Sequence, residues 1–449
     1  MKSPSAPYTA SSTTVAPAHF VIRGGKPLSG SITINSSKNG AVALLAASLL
    51  NKGKTTLRHM PRIEEVERLL EVLRSIGIET SWHGGDLTLT PPKKLSLQNL
   101  DIEAAKRTRS ILLFIGPLIH HLKHFEIPQS GGCKLGSRTV RPHFFALEKF
   151  GVSIETTNDA WKIARGALKS AEVVMYESGD TATENALLAA ALIPGTTVIK
   201  YASANYMVQD LCHFLEKCGV KIGGVGTTTL TVRGLRSLNK SLSYTVSEDP
   251  TDAMFFLTSA IVTRSRITLK RCPLEFLELE LLTLEKMGLT FKKSKPYRGA
   301  NGKVLLVDIE VFPSKLVAPP EKIHPRPYPG LNADNLPFFV LLATQAEGET
   351  LIHDWMYEKR AIYYTELEKL GAEVALADPH RVFIKGPTPL RAAELICPPA
   401  LRPATTLLVG MLAAPGRSVL RNVYSINRGY EDLVAKLRSL GADIGYLEE

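Results

Sequence analysis

The chain has 449 residues, 44% of them hydrophobic, and a formal net charge of +11. That length allows two or three domains with cores that need no disulfide or metal staples, and five scattered cysteines without a CxxC pair argue against a disulfide framework or a zinc finger. The positive charge suits either nucleic acid or small anions, but the basic residues form no single stripe, so no nucleic-acid partner is expected.

Taken in order, residues 3–17 are rich in Ser, Thr, Pro and Ala and read as part of a disordered leader over 1–18. They lack the apolar core of a signal peptide and the arginines of a transit peptide. No apolar run reaches about 18 residues, so no membrane span is expected. The unpaired cysteines fit a reducing cytosol, and a cytoplasmic location is expected. A strand over about 19–35 comes next, and its expected packing partner is the C-terminal half.

From there one short pattern recurs six times: LRSIGIE at 73–79, LEKFGVSI at 147–154, LEKCGVKI at 215–222, LEKMGLTF at 284–291, LEKLGAEV at 367–374 and LRSLGADI at 437–444. Each reads as the end of an amphipathic helix, a glycine past its C-terminus, and a strand. The glycines (77, 151, 219, 288, 371, 441) are 74, 68, 69, 83 and 70 residues apart, too far for a solenoid and suited to six βαβ-type units. Between them lie helices that are apolar nearly all round, starting near 39, 110, 184, 252, 335 and 403, which are expected to be buried. Three units form one lobe over 37–247. Residues 19–36 and 248–449 form the second, with the break in the Ser- and Pro-bearing stretch SLNKSLSYTVSEDP.

Polar residues mark the starts of the buried helices. Lys38 and Asn39 open the first, Arg109 the second, Asp249 and Asp252 the fourth, Asp334 the fifth and Arg402 the sixth. The aspartates have a plain reading as N-caps. A cation at a helix N-terminus is unfavourable without an anion, so the repeats predict anion sites converging between two lobes. Arg360 lies before an amphipathic helix, where a solvated face is the plain alternative. Gly131-Gly132-Cys133-Lys134-Leu135-Gly136-Ser137-Arg138 reads as a surface loop whose thiolate is favoured by Lys134 and Arg138. His120, His121 and His124 have helical spacing but no carboxylate or cysteine neighbour; exposure is expected and a metal site is not.

Ser37-Lys38-Asn39-Gly40, Arg109-Ser110 through Gly116-Pro117-Leu118, GGCKLGSR at 131–138, ATEN at 182–185, Ala333-Asp334-Asn335, Glu358-Lys359-Arg360, LRPAT at 401–405 and INRGYEDLVAKLRSLGADI at 426–444 share an order and spacing. With these motifs the chain resembles the UDP-N-acetylglucosamine 1-carboxyvinyltransferases, an enolpyruvyl transferase family, over nearly all of residues 20–446. The resemblance implies a two-lobed inside-out α/β barrel of six units, three per lobe, with the active site between the lobes. It implies transfer of the enolpyruvyl group of phosphoenolpyruvate to the 3′-hydroxyl of UDP-N-acetylglucosamine with release of phosphate, the first committed step of peptidoglycan precursor synthesis. Under it, Lys38, Arg138, Arg360 and Arg402 hold phosphoenolpyruvate. Asn39, Arg109, Arg138, Asp334 and Met356 face the sugar nucleotide, Cys133 is the loop acid and Asp334 the base, and Lys38 is catalytic with them. It further implies that fosfomycin, an epoxide that mimics phosphoenolpyruvate, alkylates Cys133. No cofactor or metal is implied, and a monomer is expected.

Three segments depart from the family pattern. Thr139-Val140-Arg141-Pro142-His143 stands where Pro-Val-Asp-Leu-His is usual, Gly179-Asp180-Thr181 precedes ATEN, and Asn205-Tyr206-Met207 replaces a Glu-Pro-Glu segment. The nucleotide side is thereby altered and the phosphoenolpyruvate side kept. Another nucleotide sugar stays open as acceptor, as do 3-phosphoshikimate and a non-catalytic paralogue. The Lys-Ser-x-x-x-Arg start and Gly-Thr-rich loop of 3-phosphoshikimate enzymes are missing.

Overall fold

The computed structural model describes residues 18–129 and 139–447. The leader expected over 1–18 lies outside them except for Ala18, whose carbonyl accepts from the Val423 N–H. The expected apolar helices are inside: α1 (Lys38–Ser48), α2 (Ile115–Leu118), α3 (Asp180–Ala190), α4 (Pro250–Val262), α5 (Leu336–Ala343) and α6 (Leu401–Ala413). Every residue of α4 and α5 is buried, as an all-round apolar sequence requires. The second unit differs from the regular helix expected from residue 110. Its first turns, Arg109–Phe114, wind as a 3-10 helix, and α2 is only four residues long. Pro117 has no N–H to donate back to residue 113, and the Gly116 N–H is taken by Asn185 Oδ1 at 2.8 Å.

Among the described residues, strands lie outside the helices in six separate sheets, five of four or five strands and one of three. The inside-out layering is as expected. The sheets remain open, however, because each is too narrow to close on itself, and no barrel forms. The six repeat glycines have φ between 91° and 106°, the left-handed conformation that ends a helix and admits glycine at least cost. A second glycine recurrence emerges in three dimensions. Gly24, Gly234 and Gly386 each end a strand against the carbonyl end of α6, α3 or α5. A Cβ there would meet Met411 O at 2.1 Å, Ile193 O at 2.0 Å or Ala346 O at 2.5 Å. Gly234→Ala is accordingly expected to destabilise the protein by about 2–3 kcal/mol, the cost of overpacking. Thermal unfolding checks this, and an unchanged melting temperature would refute it.

Strand β1 (Phe20–Gly24) pairs with Gly416–Arg421 and Asp443–Tyr446, and β2 (Ser29–Thr33) runs parallel to Arg266–Pro273. The start of the chain is thus built into the C-terminal half. Buried side chains fall into two clusters. One runs from Ala41 to Val246 with Phe276, Val304 and Leu306 added. The other takes Phe20–Ile34 and residues from Ala253 to Ile444. The chain passes between them twice, side by side: Ser37 N donates to Ser247 O at 2.7 Å and Asp249 N to Asn35 O at 2.8 Å. Asp249 caps α4 through the Thr251 N–H and also accepts from Lys38 N. Asp252, in the first turn, accepts from Asn35 N. Both aspartates therefore pin the crossing segment.

Candidate active site

A cavity of about 990 Å³ opens between the two cores, where the starts of α1, α3, α5, α6 and the Arg109 turn converge. Lys38, Asn39, Arg109, Asp334, Met356, Arg360 and Arg402 all line it. Sequence positions up to 364 residues apart are thus brought to one space. Cys133, Lys134 and Arg138 lie outside the described residues. Thr139 is on the wall and its carbonyl accepts from Arg109 Nη2 at 3.0 Å.

Two of the helix-start cations, Lys38 and Arg402, are paired with carboxylates of the chain itself, Glu65 and Asp334. Lys38 Nζ lies 3.2 Å from Glu65 Oε2 and donates to Asn39 Oδ1 at 3.2 Å. Arg428 Nε lies 3.5 Å from the same Glu65 oxygen, while Glu65 Oε1 accepts from Thr108 at 2.9 Å and Ser110 at 2.7 Å. Burial alone would push the Glu65 carboxyl up; Lys38, Arg428 and the two hydroxyls reverse this and bring it down to about 2. Arg402 Nη2 donates to Asp334 Oδ2 at 3.1 Å and Nη1 to the Tyr430 hydroxyl at 3.0 Å. Burial opposes the charge of Asp334, yet Arg402, Arg360 and Lys38 hold its carboxyl below the ordinary value. It therefore favours the ionised form.

Arg360 is no part of a solvated face: it is 1% exposed. Its Nε and Nη2 donate to the two oxygens of buried Asp354 at 2.6 and 2.9 Å, its guanidinium stacks on Tyr357 at 4.2 Å, and the Tyr364 hydroxyl also donates to Asp354. A doubly bonded guanidinium is rigidly aimed, so Asp354 orients Arg360 at the cavity wall. His120 and His121 are partly buried rather than exposed. Each ring Nε2 meets a carbonyl, Ala189 O at 2.9 Å and Leu49 O at 2.7 Å, near the ends of α3 and α1. His124 starts a separate strand, and among the described residues no three His, Cys, Asp or Glu side chains form a metal-binding group.

On the altered side, Arg141 is exposed and off the cavity wall, whereas His143, Gly179, Asp180, Thr181, Asn205 and Met207 are on it. His143 is held by Asn185 at Nδ1 (3.1 Å) and Thr181 at Nε2 (3.3 Å). Sequence reasoning missed Glu65, Arg428 and Asp354. Glu65 looks like its neighbours Glu64 and Glu67 in the acidic first turn of a surface helix. Arg428 lies within the 426–444 motif, but nothing local separates it from Arg421 or Arg438. Asp354 has no signal beyond its spacing from Arg360.

The family model of EPSP synthase (3-phosphoshikimate 1-carboxyvinyltransferase) matches residues 22–437. A UDP-N-acetylglucosamine 1-carboxyvinyltransferase of Bradyrhizobium diazoefficiens is 32% identical over 435 residues, covering 97% of this chain and 99% of the relative. The chain belongs to the UDP-N-acetylglucosamine 1-carboxyvinyltransferase family. A member from Treponema denticola is 33% identical, with 96% of this chain and 99% of the relative covered. Among solved structures, the enolpyruvyl transferase NikO from Streptomyces tendae superposes with a TM-score of 0.82 at 25% identity, covering 96% of this chain and 99% of NikO. EPSP synthase from Acinetobacter baumannii, at 18% identity, a TM-score of 0.73 and coverage of 96% and 100%, shares the fold. Family membership agrees with the six-unit, helix-inside architecture and with the resemblance carried by the sequence motifs. No helix among the described residues is long and apolar enough to cross a membrane.

Proposed function

We propose that the protein transfers the enolpyruvyl group of phosphoenolpyruvate to the 3′-hydroxyl of UDP-N-acetylglucosamine and releases phosphate. The observation that carries this reading is the Asp334–Arg402 pair at 3.1 Å on the wall of a cavity that also holds Lys38, Arg360 and Arg428. The relatives' names support the same reaction. Lys38, Arg360, Arg402 and Arg138 hold the phosphate and carboxylate of phosphoenolpyruvate, and Arg428 joins them. Asn39, Arg109 and Met356 face the sugar nucleotide.

The acceptor oxygen forms a bond to C2 of phosphoenolpyruvate while C3 gains a proton. Asp334 takes the proton of the hydroxyl and Cys133 delivers the one to C3. The adduct then loses a proton from C3 and expels phosphate, which leaves the enol ether. The cations steady the charge on phosphate and carboxylate throughout, in a cleft where water is displaced. Release of inorganic phosphate that requires both substrates tests the proposal. No release with UDP-N-acetylglucosamine or any other nucleotide sugar would overturn it. The altered segments on the wall, Gly179–Thr181 and Asn205–Met207, favour a second reading, in which another nucleotide sugar is the better acceptor; comparing acceptors in the same assay separates the two.

Cys133 is expected to be the most reactive thiol. The other four cysteines are buried, and burial pushes each of their thiols up, Cys397 to about 11. Fosfomycin should inactivate the enzyme with time and add mass to the peptide bearing Cys133. Cys133→Asp should retain turnover, because a carboxyl can still carry the proton, and resist the epoxide. An adduct mapped to another cysteine would remove Cys133 from this role.

A further inference from the structure

We propose that Glu184 reads the acceptor, its free carboxyl oxygen taking a hydrogen bond from a hydroxyl or amide N–H of the sugar; this rests on the nucleotide-sugar reading above. Glu184 lies on α3, is 1% exposed, and lines the cavity. Its Oε1 is buried and has no hydrogen-bond partner among the described residues. Among the described residues no cation answers it. The charges that act on it are those of Asp180, one turn earlier on the same helix face, and Asp210 on the helix Tyr206–Cys218. Like charges at this helical spacing are mutually unfavourable.

Neither neighbour brings a donor. Asp180 accepts from Ser203 Oγ at 2.5 Å and Asn205 Nδ2 at 3.2 Å. Asp210 accepts from the Tyr244 hydroxyl at 2.5 Å and Ser247 Oγ at 2.6 Å. Burial first, then these two carboxylates, raises the Glu184 carboxyl well above its ordinary value, which favours its neutral form. A neutral carboxyl offers one donor and one acceptor. From Ala182 onward its helix is buried and largely apolar, and an apolar side chain at 184 would leave no orphaned oxygen. A partner is therefore missing among the described residues, and the cavity is where one can enter. Phosphate groups are drawn to the cations around Asp334 and Glu65. Sugar hydroxyls and the acetamido N–H are neutral donors that suit an uncharged carbonyl oxygen.

Glu184→Gln and Glu184→Leu, compared with the wild type, test this. Both are melted without ligand and with rising UDP-N-acetylglucosamine, and both are assayed for half-saturation by each substrate. The Leu variant is expected to melt at or above the wild type when free. Its half-saturating UDP-N-acetylglucosamine should rise by about tenfold or more, the loss of one good hydrogen bond, with half-saturation by phosphoenolpyruvate unchanged. The Gln variant, which keeps a neutral donor and acceptor, should stay within about threefold of the wild type for both substrates. Equal acceptor half-saturation in the Leu variant and the wild type overturns the proposal. So does a free Leu variant that melts below the wild type and loses both substrates together, the mark of a structural role. A wild type with no response to UDP-N-acetylglucosamine, yet active with another nucleotide sugar, instead overturns the choice of acceptor, and the same comparison is then made with that sugar.

Discussion

Asp334→Asn is expected to lower kcat by about 10²–10⁴-fold, the range for removal of a positioned general base. The amide is close in size to the carboxyl, and its carbonyl can still accept from Arg402, so the fold should hold and stability should fall by no more than about 1–2 kcal/mol. The effect distinguishes two roles for Asp334. If it takes the hydroxyl proton, kcat collapses while half-saturation by each substrate moves only severalfold. If it merely orients Arg402, half-saturation by phosphoenolpyruvate rises and kcat is spared. Steady-state kinetics in both substrates decides, and a kcat within twofold of wild type would remove Asp334 from the proton transfer.

Loss of the Glu65 carboxylate should cost both stability and turnover. Glu65→Leu leaves Lys38 and Arg428 without their shared anion and two hydroxyls without an acceptor, all in a largely buried setting. Breaking a buried ion pair from one side costs about 3–5 kcal/mol. The loss also frees two cations at the cavity from fixed positions, so half-saturation by phosphoenolpyruvate should rise at least about tenfold, as for lost positioning in a cleft. The pH dependence follows from the sign of the shift. Glu65 is lowered from 4.5 to about 2 in the folded protein. Its contribution is therefore present above pH 4.5 and is lost as pH falls toward 2. A shift of that size corresponds to about 3 kcal/mol. Denaturant unfolding at pH 6 and near pH 3 should show the wild type losing part of this, and Glu65→Gln lacking that part of the acid loss. Equal acid sensitivity in the two proteins would mean that Glu65 does not hold the cations as described.

Lys38, Arg402 and Asp334 were legible because each opens an apolar helix, and a helix start is a local feature of sequence. The repeat glycines were legible for the same reason. A left-handed residue after a helix favours glycine through its own backbone, whatever lies around it. The six apolar helices announce their burial by having no polar face, and the family motifs tie these elements to a known order. Local sequence misjudged α2, where Pro117 within an apolar run breaks a helix that hydrophobicity alone suggests.

What only the tertiary structure decided is which charges meet. Glu65 and Arg428 are 363 positions apart, and no spacing rule links them, because their approach depends on two cores packing face to face. Glu65 carries the same side chain as its partly buried neighbours Glu64 and Glu67; its full burial follows from the rotation of one helix against Thr108 and Ser110. Arg360 reads as a surface arginine until Asp354 and Tyr364 are folded around it. Glu184 shows the converse, a side chain whose oxygen has no partner among the described residues. Backbone preference and burial pattern are properties of a few consecutive residues and so can be read along the chain. Electrostatic pairing depends on distance and on exclusion of water, which exist only once distant segments are packed together.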